Sequence, residues 1–224
     1  MTFSLAGRCE RTGQFGAIVT SSSPAVASRC SWARAGVGAA CTQNVTEPTL
    51  GNKLLDEVEA GHTAAEAMER VVSAASYPQF RQLSVIDREG RTASFSGART
   101  LGTHGSVEGV NCLAAGNLLT TVEVPQAMVD AFAAEPSADL ADRLLAALHA
   151  GEKAGGEEGP VHSCGMVIVD QVAWPLTDLR VDWSEDPLAD LEKAWQVWQP
   201  QAQEYITRAL KPETAPSYGV PGDK

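Results

Sequence analysis

The strongest constraint on the fold is that strand-like and helix-like apolar patterns occur in pairs along this chain. Two runs with strand character, 2–8 and 15–21, lie on either side of a Gly-containing turn, as in a β-hairpin. Helical periodicity predicts two helix pairs, 50–60 with 63–76 and 121–134 with 138–151. Further strand-like runs occur at 37–43, 81–87, 92–97, 110–116, 164–170 and 171–176. Because strands and helices do not alternate one by one, the order predicts an α+β fold made of layers rather than βαβ units.

Local signals place the helix ends and the loops. Gly61 and a capping box formed by Thr63 and Glu66 separate the first two helices. Residues 21–36 are small, polar and broken by a proline, so we predict a connecting loop of functional length there. The Gly/Glu-rich segment 151–160 is predicted to be a flexible loop.

The C-terminal part has a different pattern. From Asp186 onward, apolar residues recur three and four apart, and Pro200 interrupts them, so we expect a kink or two helices. We therefore predict a core domain at 1–185, a helical segment at 186–211 that packs on the core or on a partner subunit, and a flexible tail at 212–224. Trp195 and Trp198 suit either the chain's own core or an interface, and from them we predict a homodimer.

Charge and composition exclude several classes of partner. The formal net charge of −11 argues against binding to nucleic acid or to anionic lipid. The chain lacks the pattern of a signal peptide and has no apolar run of about twenty residues, so we predict a cytoplasmic protein without a membrane partner.

The cysteines and histidines do not predict a disulfide framework or a metal site. Five scattered cysteines predict reduced, buried thiols, and four dispersed histidines do not predict a metal site. Nothing in the sequence indicates an organic cofactor.

Thr2 has a specific chemical use if the initiator methionine is removed. Its hydroxyl would then lie beside its own α-amine, whose ordinary pKa of about 7.7–8.0 makes it a usable base near neutral pH. One residue would supply both nucleophile and base. The alternative is that Thr2 is simply the first polar residue of an edge strand.

Six segments of the chain resemble the DUF1028 family, whose members are similar to N-terminal nucleophile (Ntn) hydrolases. The segments are FSLAGRCERTGQFGAIVTSSSPAV, WARAGVGAACTQN, GNKLLDEVEAGHTAAEAM, RQLSVIDREGRTASFSGART, AAGNLL and LTDLRVDWSEDPLADL. The resemblance covers roughly residues 2–195. It implies a four-layer αββα sandwich, in which two antiparallel sheets lie face to face and a helix pair covers each outer side.

The resemblance also implies two catalytic residues. Thr2 matches the nucleophile, which would attack an amide carbonyl and form an acyl-enzyme that water releases. Asn117 matches the Asn of the family's GN motif and would donate a hydrogen bond to the developing oxyanion; the alternative is a turn-forming asparagine. The chain departs from the family pattern at Ala115, where glutamine is typical, and in the segment VHSCG, so we expect an altered pocket.

Other polar residues are candidates for substrate binding. The four adjacent hydroxyls of residues 20–23 could orient the nucleophile or a substrate carboxylate. Arginines could bind an anionic group, and polar residues at a strand end could line a cleft. The alternatives are a common Ser-rich turn, solvated arginines and ordinary strand-end polarity. The candidates are Ser22, Ser23, Arg29, Arg34, Thr42, Gln43 and Arg99.

The sequence thus predicts an Ntn-type hydrolase that cleaves a C–N bond of a small, amide-like metabolite. The main alternative is a catalytically inactive Ntn-like fold that binds a small molecule or acts through its assembly. A serine- or cysteine-dependent hydrolase is a third possibility, in which Ser22 and His104 would join a carboxylate, although the chain has no GxSxG motif.

Overall fold

The computed structural model describes residues 1–222, which form ten strands and seven α-helices. The strands are β1 (Thr2–Arg8), β2 (Phe15–Ser21), β3 (Ser31–Arg34), β4 (Gly38–Asn44), β5 (Arg81–Ile86), β6 (Thr92–Ser96), β7 (Gly105–Gly109), β8 (Cys112–Asn117), β9 (Ser163–Val169) and β10 (Thr177–Val181). The helices are α1 (Ala27–Cys30), α2 (Thr49–Glu59), α3 (Ala64–Ala74), α4 (Val124–Ala134), α5 (Leu140–Lys153), α6 (Pro187–Trp198) and α7 (Ala202–Leu210). Short 3-10 turns lie at Pro78–Phe80 and Pro212–Thr214.

The strands form two antiparallel sheets. The larger has six strands in the order β10-β9-β2-β1-β8-β7, and the smaller has four in the order β3-β4-β5-β6. The N-terminal strand β1 is internal to the larger sheet, where it pairs with β2 on one side and β8 on the other. The start of the chain is therefore held between two neighbouring strands.

Each sheet has one face against helices and the other against the second sheet. Along β1, Phe3 and Leu5 pack with α4 and α5, whereas Ala6 belongs to a cluster shared by the two sheets. On the smaller sheet, Leu83 and Val85 pack against α2 and α3. Successive side chains of a strand point to opposite faces, so Thr2 and Ser4 lie on the same face as Ala6, in the layer between the sheets. This is the predicted four-layer αββα sandwich, and the prediction of the fold is confirmed.

Two of the predicted loops contain ordered structure instead. Segment 21–36 includes helix α1 and strand β3, and the prediction of a single connecting loop is wrong. The reason is tertiary, because β3 pairs with β4 and the ring of Trp32 lies against Gly51 of α2, where any side chain would collide with it. In 151–160, α5 continues to Lys153 and the side chain of Glu157 is buried.

The strand predictions near 105–116 and 171–176 also need correction. Strand β7 was missed, and it pairs with β8 across a turn in which Asn111 has a positive φ of 58°. Residues 171–176 form no strand; the edge strand β10 begins directly after them. In contrast, the capping box of Thr63 and Glu66 is present as predicted.

The C-terminal pattern forms two helices separated at Pro200. Leu188, Leu191 and Trp195 of α6 pack into the core beside α5, and the Trp195 indole Nε1 donates to Asp142 at 2.8 Å. Beyond α7, the Tyr218 ring packs edge-on against Tyr205. The predicted tail at 212–224 includes residues 223–224, which lie outside the described residues.

Two further features concern the class of protein. All five cysteines are buried and free, as predicted. Among residues 1–222, no helix has both the length and the apolar character needed to cross a bilayer.

Candidate active site between the sheets

Polar side chains gather at one end of the layer between the sheets. We call this group the polar end; its residues are Thr2, Ser4, Gln43, Gln82 and Asn117. They come from both sheets, because β1 and β8 belong to the larger sheet and β4 and β5 to the smaller. The register of β1 with β8 pairs Thr2 with Asn117, and that of β4 with β5 pairs Gln43 with Gln82. All five residues are at most 5% exposed.

Hydrogen bonds connect the polar end across the two sheets. Ser4 Oγ donates to Gln43 Oε1 at 2.7 Å, and Gln43 Nε2 donates to Gln82 Oε1 at 2.8 Å. Asn117 Nδ2 donates to the same Gln82 oxygen at 3.1 Å. Gln82 Nε2 in turn donates to the backbone oxygen of Gly116 at 3.0 Å. Gln82 therefore fixes the side chains of both neighbours and holds Asn117 next to the start of β1.

Asn117 keeps hydrogen-bonding capacity that the protein does not use. Its Oδ1 atom is buried and has no hydrogen-bond partner among the described residues. Its Nδ2 carries two hydrogens, of which Gln82 Oε1 takes one. Because buried polar atoms normally have partners, the free Oδ1 acceptor and the second Nδ2 hydrogen of Asn117 suit contact with a ligand.

The hydroxyl of Thr2 lies beside a carbonyl group and a second hydroxyl. Thr2 Oγ1 and Ser21 Oγ both donate to the backbone oxygen of Met1, and the two hydroxyl oxygens are 3.5 Å apart. Ser21 Oγ also accepts the backbone N–H of Ser23 at 3.0 Å, which fixes its position. The site thus already holds an acyl oxygen next to the Thr2 hydroxyl.

A buried carboxylate adjoins this group. Glu157 is 3% exposed, and its Oε1 accepts the backbone N–H of Ser22 at 2.8 Å. Its Oε2 is buried without a hydrogen-bond partner among the described residues. Burial raises the pKa of Glu157 to about 7, although the positive charge of the chain's amino group and the bonds from Ser22 act in the opposite direction. Glu157 thus lies against Ser22 at the margin of the polar end, with a pKa of about 7.

The structure brings together several of the predicted residues. Thr2, Asn117 and Gln43 belong to the polar end, and Ser22 and Ser23 follow Ser21 at its margin. Arg29 is near this margin on α1, but its guanidinium donates to the backbone oxygens of Pro24 and Ala25.

The other three predicted residues lie elsewhere. Thr42 is one position from Gln43 and so faces the helices, where its hydroxyl donates to the Glu47 backbone oxygen. Arg34 forms ion pairs with Asp56 and Glu59 on α2. Arg99 is exposed, and its guanidinium lies over the Phe80 ring. Their pairing gives each a structural role, and the geometry does not group them with Thr2.

Sequence reasoning missed three residues of this region, Ser4, Gln82 and Glu157, whereas Ser21 belongs to the serine-rich segment whose hydroxyls were candidates. Polar residues at strand positions that face the second sheet were the available signal for Ser4 and Gln82. Glu157 offered no such signal, because it stands next to a second glutamate in a Gly-rich segment.

Comparisons with known proteins identify the family. A family model described as "Family of unknown function (DUF1028)" matches residues 2–191. The chain belongs to the DUF1028 family. Among solved structures, the DUF1028 protein SPO2555 from Silicibacter pomeroyi is similar at a TM-score of 0.83 with 28% identity, over 91% of this chain and 89% of that one. The resemblance drawn from the sequence is confirmed.

More distant similarities also exist. The Anbu (Gly-1) mutant from Hyphomicrobium sp. strain MC1 matches with a TM-score of 0.43 and 13% identity, over 91% of this chain and 96% of that one. Anbu (ancestral beta-subunit) from Yersinia bercovieri matches with a TM-score of 0.41 and 8% identity, over the same shares. Among curated proteins, none matches the chain.

Proposed function

We propose that this DUF1028 protein is an Ntn-type hydrolase that cleaves a C–N bond of a small, amide-like metabolite. Thr2, exposed as the first residue by removal of Met1, is the nucleophile, and Asn117 donates a hydrogen bond to the oxyanion. The observation that supports this best is the buried polar end itself, where Thr2 is paired in register with Asn117.

The proposed reaction follows from the groups present. Thr2 Oγ1 attacks the amide carbonyl carbon while its proton passes to the freed α-amine of the same residue. The C–N bond then breaks, the amine leaves with a proton, and an ester to Thr2 remains. Water hydrolyses this ester to a carboxylate and restores the hydroxyl.

Two further residues suit supporting roles. Ser21 Oγ already donates to a carbonyl oxygen beside Thr2 Oγ1, so it is a second donor for the acyl oxygen. Glu157 is a candidate for returning a proton to the leaving amine, because a pKa of about 7 lets it take up and release protons near neutral pH.

One observation favours the alternative function, a catalytically inactive fold that binds a small molecule. While the Met1–Thr2 peptide bond is intact, the Thr2 nitrogen is an amide and cannot act as a base. The Met1 oxygen also accepts hydrogen bonds from the hydroxyls of Thr2 and Ser21. A protein that keeps Met1 would therefore present a blocked nucleophile.

The decisive experiment combines intact mass with a panel of small amides. Loss of the Met1 mass, followed by covalent trapping of Thr2 with an electrophilic lactone, supports the enzyme. Turnover by the wild type should fall by about 10³-fold or more in Thr2→Ala, whereas Thr2→Ser, which keeps a hydroxyl and the amine, should retain part of the activity. Equal turnover by the wild type and Thr2→Ala would exclude the threonine mechanism, and retention of Met1 in every preparation would favour the binding protein.

The oligomeric state is a separate proposal. We propose a homodimer, in which apolar residues that α6 and α7 leave exposed take part. Val197 and Leu210 are 64% and 58% exposed, and tryptophan and other large apolar groups are common at interfaces. A monomer mass by light scattering would rule out the homodimer.

A further inference from the structure

A surface cavity lies at the opposite end of β1 from the candidate active site. Its volume is about 530 Å³. It is lined by Arg8 at the end of β1, Glu10 and Arg11 after it, Asn111 in the turn between β7 and β8, and Arg143 of α5. We call it the arginine cavity. Its volume lies within the range of sites for small metabolites. Three guanidinium groups and one carboxylate give it a positive balance in a protein whose formal net charge is −11.

Arg143 is buried without an opposite charge. It is 7% exposed, its guanidinium carbon lies 3.9 Å from the centre of the Phe132 ring, and its Nε donates to the Phe132 backbone oxygen at 3.0 Å. No carboxylate in residues 1–222 forms an ion pair with it. Burial lowers the pKa of Arg143, and only the thiolate forms of Cys9 and Cys112 and a hydrogen bond to Cys9 act in the opposite direction. A buried charge without a partner is costly, and a bound anion would offset the cost.

Arg8 is half-buried and also has no carboxylate partner among the described residues. Its Nη1 donates to Asn111 Oδ1 at 3.0 Å, while its Nε is buried with no hydrogen-bond partner among the described residues. Arg8 forms no ion pair with any of residues 1–222. Arg11 differs, since it is exposed and lies 3.5 Å from Asp139. Arg8 and Arg143 are therefore the two cations of the cavity whose donors are not neutralised by the protein.

The cavity is separate from the candidate active site. Thr2 and Arg8 are the first and last residues of β1, and a strand of seven residues spans roughly 20 Å. A ligand in the cavity therefore does not contact Thr2.

We propose that the arginine cavity binds a small organic phosphate. A phosphate monoester carries close to two negative charges and three acceptor oxygens, which match two unneutralised guanidinium groups. The side chains of Val110 and Pro136 supply apolar wall for the organic part. The proposal does not depend on the reaction proposed for Thr2.

The test is titration calorimetry at constant ionic strength, with glycerol 3-phosphate, inorganic phosphate and succinate as probes. Arg8→Gln should weaken the binding of glycerol 3-phosphate about tenfold, because it removes one charged donor. Arg70→Gln is the matched control: it makes the same charge change on α3, in the opposite helical layer, and should leave the affinity unchanged. Thr2→Ala should also bind with wild-type affinity, which separates this result from the fate of the proposed hydrolase.

Arg143→Lys provides a second variant that keeps the charge. It should weaken binding because lysine lacks the planar fork of donors; its folding is checked by urea denaturation, since Arg143 also bonds to α4. The absence of saturable binding by the wild type would overturn the proposal, and so would equal affinities of the wild type and Arg8→Gln. Binding of succinate but not of glycerol 3-phosphate would overturn the assignment to a phosphate.

Discussion

The two ends of the layer between the sheets differ in the polarity of their side chains, although the same strands run through both ends. Along β1, Thr2 and Ser4 at one end are followed by Ala6 at the other. Along β4, Gln43 is preceded by Cys41. The second end, which we call the apolar end, is a cluster made of Ala6, Phe15, Ala17, Ala39, Cys41, Ile86, Val167 and Val169.

This difference distinguishes the residues that stabilise the packing of the two sheets from the residues of the candidate active site. Apolar burial alone is sufficient to join two sheets, as the apolar end shows. A buried hydrogen-bonded network adds only about 1 kcal/mol per bond to stability and is costly wherever a partner is missing. Asn117 of the polar end and the adjoining Glu157 each have a buried oxygen without a partner among the described residues. These groups are thus better explained by a role in binding or catalysis than by a contribution to stability.

The largest effect on stability is expected at the apolar end. Ile86→Ala should lower the free energy of unfolding by about 2–5 kcal/mol, because the side chain is completely buried and its loss leaves a cavity. Urea denaturation measures this, with Val110→Ala, at an 81% exposed position, as the control. An effect of Ile86→Ala as small as that of the control would remove the distinction between the two ends.

Gln82→Met tests the centre of the polar end at nearly constant volume. It should cost about 3 kcal/mol, because Gln43 Nε2 and Asn117 Nδ2 each lose their acceptor, at about 1–3 kcal/mol per buried group. The same variant should lose amide turnover in the panel used for Thr2, since Asn117 is no longer held. If Gln82→Met had wild-type stability, the hydrogen bonds to Gln82 Oε1 would not contribute to the free energy of unfolding.

Glu157→Gln should stabilise the protein at alkaline pH. The pKa of this carboxyl is raised from 4.5 to about 7 in the folded state, so folded protein binds the proton more tightly than unfolded protein does. The contribution of Glu157 to stability therefore falls as the pH rises from 4.5 to 7, and Glu157→Gln lacks this loss. We expect the variant to be more stable by about 2 kcal/mol at pH 8.

Glu158→Gln is the control for that comparison, because it removes the same charge at the exposed neighbouring position. Urea denaturation at pH 5 and pH 8 should separate Glu157→Gln from both the wild type and this control. If all three stabilities changed in parallel between the two pH values, Glu157 would not carry the raised pKa.

The smallest effect concerns one hydrogen bond of the polar end. Ser4→Ala should cost about 1 kcal/mol, since it removes the donor to Gln43 Oε1 without leaving a large cavity. Thermal unfolding provides the measurement, and Ser137→Ala on the surface is the control. A loss well above that of a single bond would indicate that the network is cooperative.

The fold was largely predictable because its signals are local. Strands β1 and β2 show a hairpin pattern, and Thr63 with Glu66 forms a capping box within four residues. Strand β3 was missed because it depends on the packing of Trp32 against Gly51 of α2, which is distant in sequence.

The candidate site was only partly predictable, for a related reason. Thr2 was predicted from its position after Met1 and Asn117 from the family resemblance, but their pairing depends on the register between strands more than one hundred positions apart. Glu157 and Glu158 are chemically identical, and only burial distinguishes them. Which polar residues face the second sheet is decided by the strand pairing.

The position of Met1 beside the hydroxyls of Thr2 and Ser21 has a practical consequence for recombinant work. Its carbonyl contacts Thr2 and Ser21, and Thr2 is 5% exposed. An affinity tag fused ahead of Met1 would keep Thr2 amide-linked in every molecule, so the proposed hydrolase would show no turnover in such a sample. An affinity tag fused at a position after α7 leaves the N-terminus unchanged.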